Sequence, residues 1–105
     1  MNYIVKARAR LDLKRHWHYI AQDNVDAADR LLDAAEQTFT FIAAHPEIGS
    51  QRDFRRLAGI RSRAIPGFPN YLAFYQTRED KVVIIRVLHG MRDLPRFFLP
   101  PPQTS

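Results

Sequence analysis

The feature that most constrains the fold is an apolar run, residues 82–88, that stops at His89-Gly90. Its only polar member is Arg86, so a strand formed here is apolar on both faces and needs cover on both. Strict alternation predicts two sets of side chains on opposite faces: Val83, Ile85 and Val87 on one, and Val82, Ile84, Arg86 and Leu88 on the other. The glycine then lets the backbone turn away, and Arg92-Asp93 places two charges at the strand exit.

Two amphipathic segments upstream predict a helical hairpin. Apolar residues recur at helical spacing in both, Leu13, Trp17, Ile20 and Ala21 in residues 8–22, then Ala28, Leu31, Leu32, Ala35, Phe39 and Ile42. Asp23 or Asn24 suits the N-cap of the second helix, and His45-Pro46 ends it, because a residue before proline is pushed out of helical geometry. So short a link requires the two helices to run antiparallel.

The remaining segments predict strands. Residues 2–6 form a first strand, while residues 47–50 are a loop that leads through Arg52, Arg55 and Arg56. Residues 59–65, 71–76 and 81–88 form a three-stranded antiparallel meander, since their links are short. The predicted fold is therefore α+β, with a strand, a helical hairpin packed on one face of the sheet, and a meander. One domain spans residues 1–99, residues 100–105 form a proline-rich tail, and Phe97, Phe98 and Leu99 or a second protein cover the other face.

Composition narrows the class of protein. The chain has no cysteine and a net charge of +5, which favours an acidic or polyanionic partner. No stretch approaches the ~20 apolar residues of a membrane span, and a cytoplasmic location without membrane contact is expected. We expect no cofactor and no metal, because His16 and His18 lie two apart and point to different faces of a helix.

Several short motifs, in order, resemble the ParE branch of the RelE/ParE toxin superfamily. They are Trp17-x-Tyr19-Ile20-Ala21, Asn24 with Ala27-Ala28, His45-Pro46-Glu47-Ile48-Gly49, Gly59-Ile60-Arg61, Gly67-Phe68-Pro69-Asn70-Tyr71-Leu72 and Arg86-Val87-Leu88-His89-Gly90. The resemblance implies the toxin of a type II toxin–antitoxin pair, which inhibits DNA gyrase by stabilising the cleaved DNA complex. It also implies a cognate antitoxin with an acidic C-terminal segment. RelE-like relatives instead cleave mRNA on the ribosome, and an inactive antitoxin-binding member is a third reading.

Ribonuclease chemistry requires a proton acceptor, a proton donor and cations around the phosphate. If this chain is a nuclease, the candidates are His89, Arg92, Arg61 and Arg86. By resemblance, Arg92 stands where RelE-like enzymes place a catalytic arginine after the last strand. Phe97-Phe98 stands where they carry a tyrosine, and phenylalanine cannot transfer a proton. A histidine at a strand end is more often bonded to backbone than catalytic, so a binding protein is favoured over an enzyme.

Two surfaces are predicted to bind partners. The basic outer face of the first helix and the strand exit would contact gyrase, or the DNA that it holds, through Arg8, Lys14, Arg15, Arg92 and Asp93. A half-covered sheet face would receive the antitoxin through Tyr75, Ile84, Arg86 and Leu88.

Overall fold

The computed structural model describes residues 1–54 and 57–93 and has the predicted α+β class. Its elements are β1 (Asn2–Val5), α1 (Ala7–Ala21), α2 (Val25–Ala44), β2 (Ser50–Phe54), β3 (Leu57–Ile65), β4 (Phe68–Arg78) and β5 (Lys81–His89). The sheet order is β1-β5-β4-β3-β2, with β1 parallel to β5 and every other pair antiparallel. The apolar run therefore lies inside the sheet, between β1 and β4, as its two apolar faces require.

The strand β2 was not predicted, and the meander has four strands instead of three. It pairs with β3 from Ser50↔Ser62 to Phe54↔Leu57, where the sequence indicated only a loop leading to Arg52. Backbone bonds to a neighbouring strand stabilise an edge strand whatever its side chains, so the polar Ser50-Gln51-Arg52 carries no alternating pattern to read. Arg55, Arg56 and the whole segment 94–105, with the predicted tail contacts, lie outside the described residues.

The helical hairpin forms as expected, and the structure selects Asn24 as the N-cap. Its Oδ1 accepts a hydrogen bond of 3.0 Å from the amide of Ala27, which satisfies a donor left unpaired at the helix start. The buried face of α1 differs from the predicted stripe, because the fully buried residues are Ala9, Asp12 and His16. Leu13 and Trp17 are only partly buried beside them.

A register shift in the β4–β5 pair changes which side chains share a face. Phe74 pairs with Arg86 and Tyr75 with Ile84, so one residue of β5, Ile85, is left without a counterpart. The alternation predicted for β5 is therefore wrong beyond this bulge. Val82, Ile84 and Val87 pack in the main core with the helices. Leu88 and Ile85 belong to a second apolar cluster built around Phe74 and Ile60.

Candidate functional site

The free edge of β5 is closed by two side chains of α1. Pairing with β1 ends at Ile84, whose carbonyl accepts the last backbone bond, 3.0 Å from Lys6 N. Beyond it, the amide of Val87 donates to Asp12 Oδ2 at 3.0 Å, and its carbonyl accepts from His16 Nε2 at 2.7 Å. Asp12 and His16 are four residues apart and share one helix face, so together they replace a short piece of strand.

Asp12 is also the centre of an ion-pair cluster. It is only 2% exposed, and Arg86 holds it with two parallel bonds, Nε to Oδ2 at 2.7 Å and Nη2 to Oδ1 at 2.9 Å. This two-bond geometry is the strong form of an arginine–carboxylate pair. The hydrogen bond to Asp12 raises the pKa of Arg86. Arg15 adds a further bond of 3.1 Å from the surface side, where its side chain is 57% exposed.

His16 is a neutral imidazole in this setting. A carbonyl can only accept, so the ring nitrogen that contacts Val87 carries the proton. Burial lowers the pKa of His16, although its bond to Val87 and the carboxylates of Asp93 and Asp12 act in the opposite direction. The role of His16 is therefore to close the edge of β5.

The segment that leaves β5 folds into a tight turn, residues 89–93, called here the exit turn. Asp93 Oδ2 accepts from the amide of His89 at 2.8 Å, and the Asp93 amide donates to the His89 carbonyl at 2.8 Å. The ring Nδ1 of His89 accepts from the amides of Met91 and Arg92, each at 3.2 Å. Burial, and then the charge of Arg92, lower the pKa of His89. Its ring thus serves as a neutral acceptor inside the turn.

Arg92 joins the exit turn to the end of α1. Its Nη2 donates to the Tyr71 hydroxyl at 3.1 Å, and its guanidinium carbon lies 4.2 Å from the centre of the Tyr19 ring. The Tyr71 ring meets the rings of His16 and His89 edge-on, at centroid distances of 4.8 and 5.0 Å. Burial raises the pKa of Tyr71. The arrangement holds a cation in a fixed position beside an exposed aromatic ring.

The chain resembles known proteins both in sequence and in fold. The model of the family described as ParE toxin of type II toxin–antitoxin system, parDE, matches residues 3–94. The chain belongs to the ParE toxin family. Among solved structures it is similar to a chromosomal ParDE TA system from P. aeruginosa, with a TM-score of 0.69 and 16% sequence identity over 85% of this chain and 95% of that one. No curated protein matches this chain.

The residues predicted for the target of this ParE-family chain fall into two groups. Arg15, Arg92 and Asp93 take part in the contacts between α1, β5 and the exit turn. Arg8 and Lys14 are exposed on α1 with no side-chain bond to another described residue. The structure thus places all five on α1 or beside its C-terminal half, and their binding role stays a prediction.

The surface predicted for the antitoxin is not a surface in this structure. Tyr75, Ile84 and Leu88 are fully buried, and the side chain of Arg86 is 13% exposed and bonded to Asp12. The β5 bulge also puts Ile84 and Leu88 in two different clusters, so the predicted common face does not exist. The error came from reading strict alternation through a strand that contains one extra residue.

The four nuclease candidates are not brought together either. Arg61 donates to the carbonyls of Gly49 and Glu47 at 2.8 and 3.2 Å, beside Tyr75 on β4. His89 instead pairs with Tyr71. Tyr71 and Tyr75 are four residues apart on β4, so His89 and Arg61 lie roughly 13 Å apart along the strand direction, at 3.3 Å per residue. Arg86 is engaged by Asp12. Arg61 and His89 therefore lie at different positions along β4, too far apart to share one catalytic site.

Arg61 and Tyr75 form a clamp on the loop that follows α2, residues 46–49. The Tyr75 hydroxyl donates to the Pro46 carbonyl and accepts from the Gly49 amide, both at 2.8 Å. A Cβ added at Gly49 would lie 2.7 Å from that hydroxyl, so only glycine fits. The clamp gives the His45-Pro46-Glu47-Ile48-Gly49 motif a structural role, because it fixes the path of the loop from α2 to β2. This loop lines an open cleft of about 720 Å³.

Sequence reasoning missed Asp12, His16 and Tyr71, the three residues that hold the site together. The sequence offered one signal for Asp12 and His16: they are spaced i and i+4 on the same side of α1 as Ala9, so a polar pair would face the core. Within residues 1–54 and 57–93, no group of acidic and histidine side chains is placed to hold a metal ion. In the same part of the chain, no helix is long and apolar enough to cross a membrane.

Proposed function

We propose that this ParE-family chain inhibits DNA gyrase by binding, and that it stabilises the cleaved gyrase–DNA complex. The observation that favours inhibition by binding over catalysis is that the polar side chains of the exit turn are already bonded within the protein. His89 and Arg92 are the pair that a ribonuclease mechanism would need, and both side chains already have partners inside the protein. The family assignment supports a toxin role, and the gyrase target rests on the ParE resemblance.

A proton acceptor needs a free lone pair near its operating pH. The Nδ1 lone pair of His89 receives two backbone amides, and freeing it would undo the turn. Arg92 is an arginine, so it stays protonated and cannot act as a base. Neither feature hinders a binding role, because a fixed cation next to the exposed ring of Tyr19 is a good contact group.

The proposed target surface is the exposed side of α1 together with the exit turn, with Arg8, Lys14, Arg15, Arg92 and Asp93 as contacts. Five cations of the described chain lie on α1 or at its start, at Lys6, Arg8, Arg10, Lys14 and Arg15. Such a concentration attracts the phosphates of DNA and acidic protein surfaces. We propose that the antitoxin brings an acidic C-terminal segment, which complements the net charge of +5.

The test is a gyrase reaction with ATP on relaxed plasmid with the purified chain, in which inhibition of supercoiling and protein-linked double-strand breaks are both measured. We expect breaks to accumulate in proportion to the chain added, and the purified antitoxin to prevent them. An Arg8→Gln/Lys14→Gln variant should need at least ~10-fold more protein for the same yield of breaks, since two exposed cations contribute mainly to encounter.

The matched control removes two cations elsewhere, through Arg30→Gln on α2 and Arg78→Gln at the end of β4, both exposed. It should act like the wild type. If the wild-type chain leaves gyrase unaffected while its expression stops growth, the gyrase proposal is wrong. Cleavage of ribosome-bound mRNA that disappears in His89→Ala would then identify a RelE-like nuclease. A wild type that is not toxic at all would identify an inactive antitoxin-binding member.

A further inference from the structure

The charges of the helical hairpin are separated by helix. The exposed charges of α1 are all positive and comprise Arg8, Arg10, Lys14 and Arg15, because its one acid, Asp12, is buried. The exposed charges of α2 are negative except for Arg30 and comprise Asp26, Asp29, Asp33 and Glu36. The molecule therefore has a basic helix and an acidic helix side by side.

The acids of α2 and two cations of α1, Arg10 and Lys14, point away from the sheet, while Arg8 and Arg15 lie on the flank of α1 beside Asp12. The four acids of α2 are spaced i, i+3, i+7 and i+10, which keeps them on one helix face. That face is opposite the buried one, which carries Leu31, Ala35 and Ile42. On α1, Arg10 and Lys14 are spaced i and i+4 and lie opposite the buried Asp12 and His16. The outer surface of the hairpin is thus one positive stripe beside one negative stripe.

The two stripes do not neutralise each other within the chain. Among residues 1–54 and 57–93, the described ion pairs are those of Asp12 with Arg15 and Arg86, and neutral His16 lies 3.9 Å from Asp93. The described polar side-chain contact between α1 and α2 is the bond from Trp17 Nε1 to Asp29 Oδ1, at 2.9 Å. The positive stripe and the negative stripe both remain exposed.

We propose that this hairpin surface is an interface between two copies of the chain. A two-fold axis that runs parallel to the helices, above the groove between them, places α1 of each copy over α2 of the other. Every positive stripe then faces a negative stripe, and the contact closes on itself with no surface left over.

Exposed apolar residues lie within the same surface. Leu11 on α1 is 54% exposed and Leu32 on α2 is 38% exposed. Pairing the hairpins would remove part of both from water. Because charged pairs dominate the contact, the dimer should be weak and should dissociate as salt screens the charges.

The first experiment measures the mass of the full-length chain in solution by sedimentation equilibrium, at ~100 μM protein, first in ~50 mM and then in ~500 mM NaCl. We expect a dimer at low salt and a dissociation constant at least ~10-fold larger at high salt. A chain that is monomeric at low salt, or a dimer that salt does not weaken, would overturn the proposal. The wild-type chain alone gives this answer, so it does not depend on how any variant folds.

The second experiment exploits the two-fold symmetry through charge reversal. One variant carries Arg10→Glu/Lys14→Glu and reverses the two cations on the outer face of α1. The other carries Asp33→Lys/Glu36→Lys and reverses two of the four acids of α2. Each should be monomeric alone, because like charges then meet at the reversed positions. An equimolar mixture should form a heterodimer, because the reversed positions of one variant face those of the other and opposite charges meet again. A mixture that stays monomeric, or single variants that still dimerise, would overturn the proposal.

The control reverses the same amount of charge away from the hairpin, through Arg78→Glu/Lys81→Glu beside the β4–β5 turn. It should dimerise like the wild type. The inference goes beyond the proposed function, and its tests contain no gyrase, DNA or antitoxin. The dimer covers Lys14, so the target would bind the monomer that the weak dimer releases. A negative result here therefore leaves the gyrase proposal untouched, and a negative gyrase assay leaves this proposal untouched.

Discussion

Replacing Asp12 by alanine tests the central contact of the structure. The substitution removes the acceptor for both bonds of Arg86 and for the Val87 amide, and the carboxylate is 2% exposed. Breaking a buried ion pair by removing one partner costs about 3–5 kcal/mol, because the remaining charge loses its main partner. For a domain of this size that loss lowers the melting temperature by roughly 15–25 °C.

The assay is urea unfolding at pH 7, followed by circular dichroism, with the free energy of unfolding extrapolated to water. A second variant, Asp12→Ala/Arg86→Met, removes both charges and should recover part of the loss, although the Val87 amide stays unpaired. The matched control, Asp33→Ala, takes an exposed acid from α2 and should change stability by less than about 0.5 kcal/mol. A loss below about 1 kcal/mol for Asp12→Ala would refute the argument that α1 closes the edge of β5.

Three further outcomes follow from single contacts. Gly49→Ala should cost about 1–3 kcal/mol in urea unfolding, since the new Cβ would press on the Tyr75 hydroxyl. Burial lowers the pKa of His16, so the unfolded chain binds more protons below its ordinary pKa near 6.5. Stability should therefore be intact above that pH and fall as pH is lowered through it, and His16→Gln should flatten the dependence measured by thermal unfolding. Asn24→Ala should cost about 1 kcal/mol and Asp23→Ala almost nothing, as only Asn24 caps α2; equal losses would contradict the assigned cap.

The helical hairpin and the central strand could be predicted because their signals are local. Apolar spacing reports which face of a helix is buried, and a run apolar on both faces requires a position inside a sheet. Side chains that can cap a helix limited the N-cap of α2 to Asp23 or Asn24, and in the structure Asn24 is the cap. The prediction of the antitoxin surface was wrong because a single bulge at Ile85 shifts every later side chain to the opposite face. No residue type in β5 indicates this bulge in the sequence.

The sequence by itself determined the class of fold, the hairpin, the buried strand and the family, since each depends on residue order over short distances or on motifs in series. Only the tertiary structure decided what Asp12, His16 and Arg86 do. Asp12 and Arg86 are 74 residues apart, and neither can be assigned a partner until α1 lies against the edge of β5. A buried acid on an apolar helix face looks unfavourable in sequence, and becomes stabilising only when the fold supplies an arginine and a backbone amide within hydrogen-bond distance.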